Sequence, residues 1–169
     1  SFLGPVAHIC IDLEIPGAED EVKRLSTDKR VTGTSYYSLF KALLDQFKLE
    51  NNLIEEINQM KFQIDPVNSR DLLDRAATLF RSLRGDVTHI YASKVYHDIQ
   101  EPQFARAMVR ERLIAILKSR KYDSNIKIRC ALILSDLHVR QATHDIEMLL
   151  ENPQITDISH LNLIKEALT

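Results

Sequence analysis

Glycine and proline together supply only 9 of the 169 residues, four and five respectively. A chain with so few turn formers cannot be cut into the many short strands of a sandwich or barrel. It must run in long segments joined by short loops. Between the sparse breakers the apolar residues recur at helical spacing. Tyr37, Phe40, Leu43, Leu44 and Phe47 form one such stripe, and Leu72, Leu73, Ala76, Leu79, Phe80 and Leu83 another. The chain therefore reads as all-α, its helices folded back on one another as antiparallel hairpins.

Several boundaries carry their own signals. Ala18 to Leu25 reads as a short charged helix, followed by a polar loop from Thr27 to Ser35. Asn51 or Asn52 is placed to open a new helix, Asp65-Pro66 breaks the chain, and Asn68 or Ser69 is placed to cap the next helix. Gly85 supplies a stop, and a helix is expected from Asp86 through Ile99. Beyond Pro102, helices are expected from Phe104 to Ser119, from an Asp123 or Ser124 cap through Leu137, over 142–150, and from a Thr156 or Asp157 cap to Leu168.

Residues 1–17 look different. The run from Val6 to Ile15 begins apolar, then alternates, and closes on Pro16-Gly17. It reads as an extended arm lying against, or exchanged from, a helical domain spanning 18–169. Cys10 and Cys130 stand 120 positions apart among apolar neighbours, as small core residues of a reducing compartment, cytoplasm or nucleus. No apolar run approaches the ~18 residues that would span a membrane. The oligomeric state is left open.

Net charge is −2, but it is unevenly spread. Residues 101–140 hold nine basic groups against four acidic ones, while 1–65 hold seven against eleven and 141–169 one against five. The basic block is Arg106, Arg110, Arg112, Lys118, Arg120, Lys121, Lys127, Arg129 and Arg140. Arg106 and Arg110 are four apart and share a helix face, whereas Lys127 and Arg129 point apart. The functional reading is an anion-binding surface, with Arg106, Arg110, Arg129 and Arg140 as contacts. The plainer reading is a solvated face paired with the acidic segments on either side.

The last third of the chain resembles HEAT-type helical repeats. The stretch DSNIKIRCALILSDL, Asp123 to Leu137, is similar to the second helix of such a repeat: an Asp cap, β-branched residues, an Arg at Arg129, then small and apolar residues. DIEMLLENP, Asp145 to Pro153, is similar to the next first helix, and Ile158 to Leu168 to its second, with His160 where the Arg belongs. The resemblance, mainly over 104–169, implies an α-solenoid whose stacked hairpins form a scaffold for another protein, presented as an acidic segment or helix. It also implies membership of a larger protein or complex. Nucleic acid or phosphoinositide binding through the basic block is the second expectation.

Catalytic patterns are poor. His97-Asp98 and His144-Asp145 resemble the metal-holding pair of the HD phosphohydrolases, but His89 stands only eight residues upstream of His97 and no Gly-Lys follows either pair. Neither a His-Glu-x-x-His run nor a glycine-rich phosphate loop occurs. The expectation is a non-catalytic chain with no cofactor and no metal.

Overall fold

A computed structural model describes residues 3–33, 37–84 and 102–169. Among them are nine α-helices, one 3-10 turn and no strand. The helices are α1 (Leu3–Asp12), α2 (Ala18–Ser26), α3 (Lys29–Thr32), α4 (Tyr37–Gln59), α5 (Pro66–Arg84), α6 (Pro102–Lys118), α7 (Ser124–Asp136), α8 (Thr143–Leu149) and α9 (Ile158–Ala167). The 3-10 turn is Arg140–Ala142. The helix expected from Asp86 to Ile99, the Gly85 stop of the helix before it and the His97-Asp98 pair lie outside the described residues. No described helix is long and apolar enough to cross a membrane.

The extended arm expected over residues 1–17 is instead helical, as α1 followed by a turn. A lone strand would leave its backbone N–H and C=O groups without partners, whereas a helix satisfies them within itself. The helix ends in a Schellman motif: Ile15 N–H reaches Cys10 O at 2.9 Å and Glu14 N–H reaches Ile11 O at 2.9 Å. Glu14 occupies the left-handed position, with φ 53. Gly17, at φ 81, then turns the chain into α2, a conformation that glycine adopts without strain. The loop expected from Thr27 to Ser35 contains the single turn α3, capped by Asp28, whose carboxylate accepts from Arg30 N–H at 2.9 Å.

No new helix opens at Asn51 or Asn52, because α4 runs unbroken for 23 residues. Its apolar stripe does shift there. Phe40, Leu43 and Phe47 lie on one side; Leu49, Leu53 and Ile57 are turned by about 110° at 100° per residue. One helix thus serves two cores. The first three pack with Val22 and Val31, and with Ala7, Ile11, Leu25 and Leu44, to form a small N-terminal lobe. The second three join the main core.

The chain breaks at Met60–Asp65, and α5 is capped by Asp65 rather than by Asn68 or Ser69. Asp65 Oδ1 accepts from Asn68 N–H at 3.2 Å, and Pro66 takes the first helical position, where its missing N–H costs nothing. Ser69 is buried and donates its hydroxyl to Asp136 Oδ2 at 2.6 Å; the same oxygen accepts from Asp65 N–H at 3.1 Å. One carboxylate at the end of α7 therefore ties down the start of α5.

The centre of the main core is α7. Ile126 and Ile128, then Cys130 to Leu134 without interruption, are all buried, as expected of a helix covered on every side. It touches α4, α5, α6, α8 and α9. Asp123 caps it as expected, accepting from Ile126 N–H at 3.0 Å. Asp157 likewise caps α9 through Ser159 N–H at 2.8 Å. Cys130 donates its thiol to Leu113 O at 3.0 Å, and burial raises its pKa. Both cysteines are free, Cys10 half-buried and Cys130 buried. At its C-terminus α7 closes with a second Schellman motif, His138 at φ 55 holding the left-handed position and Val139 N–H reaching Leu134 O at 3.0 Å.

Candidate functional site

The structure does not gather the four arginines singled out as contacts. Arg106, on α6, donates Nε to Asp74 Oδ1 of α5 at 2.9 Å. Arg129, on α7, donates Nε to Met60 O at 2.8 Å, satisfying a carbonyl just past the end of α4. Its guanidinium also lies 3.9 Å above the Phe62 ring, which stacks on His160 at 4.2 Å between centroids. That is a packing role, joining the α4–α5 connection to α7 and α9. Arg110 is half-buried on α6 and Arg140 exposed in the 3-10 turn, and neither guanidinium has a hydrogen bond or ion pair with a described residue. Two of the four are thus used within the fold.

Other members of the basic block do converge. Arg112 and Lys118 of α6 and Arg120 and Lys121 of the following loop form one wall of a cleft of about 970 Å³. The opposite wall is the α1–α2 turn, with Asp12, Glu14, Glu19 and Asp20. Ile11, Phe47 and Ala115 supply apolar lining, and Leu13 and Ile15 stand exposed among the lining residues. Two contacts cross the cleft. Arg120 N–H reaches Glu14 Oε2 at 3.1 Å, and Lys121 Nζ reaches Glu19 Oε2 at 3.3 Å. The latter carboxylate also takes Lys23 at 3.1 Å. Exposed pairs of this kind contribute ~1 kcal/mol or less, so they close the cleft only lightly.

On the α4 side, Glu50 is the unusual group. Burial raises its carboxyl pKa, against the pull of the Lys121 and Arg112 charges and a hydrogen bond from Tyr122. Burial, with Glu50 beside it, also raises the pKa of the Tyr122 phenol. Nearby, Arg112 Nε is buried without a hydrogen-bond partner. The cleft is therefore bipolar, acidic on the N-terminal lobe and basic on the body.

Sequence reasoning grouped Arg112, Lys118, Arg120 and Lys121 by charge but did not choose them, and it gave the acidic residues of the α1–α2 turn no role. One signal was present: Pro16-Gly17 marks a reversal, and five carboxylates lie within four residues of it. What faces that turn is decided by long-range folding. The second His-Asp pair, His144-Asp145, sits at the start of α8. Among the described residues no three His, Cys, Asp or Glu side chains are grouped to hold a metal ion.

The class that fold and site define is an all-helical protein with a mixed-charge cleft between a small lobe and a larger body. Compared with protein-family models, with curated proteins and with solved structures, the chain matches none of them.

Proposed function

We propose that this chain is a non-catalytic helical scaffold of HEAT-like construction that seats a segment of another protein, as part of a larger protein or complex. The observation that carries the reading is the cleft itself. Its two walls have opposite sign and an apolar lining, and exposed Leu13 and Ile15 stand beside the charges. A peptide offers both charges and apolar side chains, so it complements such a surface better than a uniform polyanion does. The repeat-like reading is supported by the two Asp-capped helices α7 and α9, which pack on each other and whose caps, Asp123 and Asp157, stand at equivalent places. Of the arginines proposed as contacts, Arg110 and Arg140 keep free guanidinium groups for a partner, and Lys118 and Arg120 add to them from the cleft.

Peptide display against the folded chain, followed by hydrogen exchange on the complex, tests this. Bound peptides are expected to protect amides over 13–20 and 118–121. Protection confined to other surfaces, or failure to select any peptide, would overturn it.

The alternative, phosphate binding by nucleic acid or phosphoinositide, draws on the same basic wall. Asp12, Glu14, Glu19 and Asp20 face that wall and repel a polyanion, which is why it stands second. Its signature would be affinity for phosphate-bearing ligands that falls steeply with salt.

A further inference from the structure

The four cations along the basic wall of the cleft are not alike. Lys118, Arg120 and Lys121 are exposed, and Lys121 already holds Glu19 at 3.3 Å. Arg112 is half-buried, and its Nε is shut off from water with no acceptor. The rest of its guanidinium makes no hydrogen bond or ion pair with a described residue either. Glu50 of α4 is near enough for the two charges to act on each other, yet the pair forms no ion pair; the Glu50 carboxyl takes the Tyr122 hydroxyl instead. A buried donor without an acceptor is a standing cost to a fold, and a charged donor more so. Here the donor belongs to a side chain that lines a cleft, so an acceptor can arrive from outside.

The surroundings say which acceptor. Ala115, three residues on along α6, and Phe47, three before Glu50 on α4, put apolar surface beside the guanidinium. A guanidinium in such a setting takes a planar carboxylate through two parallel hydrogen bonds. A phosphate would carry more negative charge toward Asp12, Glu14 and Asp20 on the facing wall. We infer that Arg112 anchors a carboxylate of the seated segment, the side chain of a Glu or Asp flanked by apolar residues, with a Lys or Arg nearby for the acidic wall. A side chain fits better than a chain terminus, because three neighbouring residues of one segment then meet the cation, the apolar lining and the carboxylates together. This rests on the scaffold reading and names the chemistry its cleft selects.

The probes are end-capped peptides, Lys-Leu-Glu-Leu-Lys and the same sequence with Gln for Glu, titrated into the whole chain by NMR. The Arg112 Nε–H signal, assigned by its loss in Arg112→Lys, should shift saturably with the glutamate peptide. The glutamine peptide should bind roughly tenfold more weakly or worse. Arg112→Lys keeps the charge but loses the fork, and should erase that preference; Lys118→Gln/Arg120→Gln should keep it. Arg112 has no internal partner to lose, so the circular dichroism and Tm of Arg112→Lys should match the parent. Should that variant fail to fold, the Nε–H shift in the parent still decides. Equal binding of the two peptides, or a preference that survives Arg112→Lys, would overturn the inference. So would a stronger Nε–H response to inorganic phosphate, or to the glutamine peptide with a free C-terminus, than to the glutamate peptide. Shifts of amides around the cleft with the Arg112 signal unmoved would sink this inference while leaving the scaffold reading standing; the display experiment decides that reading separately.

Discussion

The two cores that meet on α4 are built at very different scale. Among the described residues, Phe40, Leu43 and Phe47 join Val22 and Val31 as buried residues on one side, while on the other Leu49, Leu53 and Ile57 belong to a cluster of twenty-six around α7. The body is crossed by buried or half-buried polar ties such as Ser69–Asp136, Arg129–Met60 and Ser135–Ala167. Within residues 3–33 the lobe's ties are exposed ion pairs, a buried Lys41–Asp45 pair lies beside them on α4, and two light contacts reach the body across the cleft. Local stability follows buried apolar contact, so the lobe should open before the body does. The part proposed to meet a partner is therefore the part least firmly held.

The largest effect should come from the body. Leu132→Ala, at a fully buried position of the central helix, should cost about 4 kcal/mol and lower the urea midpoint of the whole molecule. Phe40→Ala should cost about 3 kcal/mol, but of the lobe's stability. Hydrogen exchange should then show α1 to α3 losing protection while α7 keeps it. Equal loss in both would break the comparison and make the molecule one cooperative unit.

A gain is expected at His138. Its left-handed backbone suits glycine, so His138→Gly should stabilise the body by about 1 kcal/mol in urea unfolding. The smallest effect is a pH trend at the cleft. Because burial raises the Glu50 pKa, the folded state holds that proton more tightly than the unfolded one. Its contribution therefore falls as pH rises from the ordinary value of 4.5 through the raised one. Glu50→Gln, which keeps an oxygen to accept from Tyr122, should flatten that decline and leave the variant more stable than the parent above it. A steeper decline in the variant would mean that Lys121 and Arg112 outweigh burial.

Much of the body was legible in the sequence, because local rules and tertiary packing agree there. Asp123 and Asp157 announce the helices they cap, and the unbroken run from Cys130 to Leu134 marks a buried segment. The misreadings fall where one local pattern admits two outcomes. The alternation from Ile9 to Ile15 fits a strand, but also a helix with two apolar faces, and only the presence or absence of a pairing strand separates them. The stripe shift near Asn51 fits a new helix, or one helix serving two cores. Arg129 looked like a surface cation because charge counts do not say which carbonyl or ring lies within reach.

By itself, then, the sequence determined what depends on near neighbours along the chain: helical class, the Asp caps, the scarcity of turns and the uneven charge. Only the tertiary structure decided what depends on residues far apart in the chain. It set the acidic α1–α2 turn opposite Arg120 and Lys121, about a hundred positions away, and turned Arg129 onto Met60. Helix propensity and capping act within a turn or two, while a cleft wall is a meeting of segments whose separation no local spacing encodes.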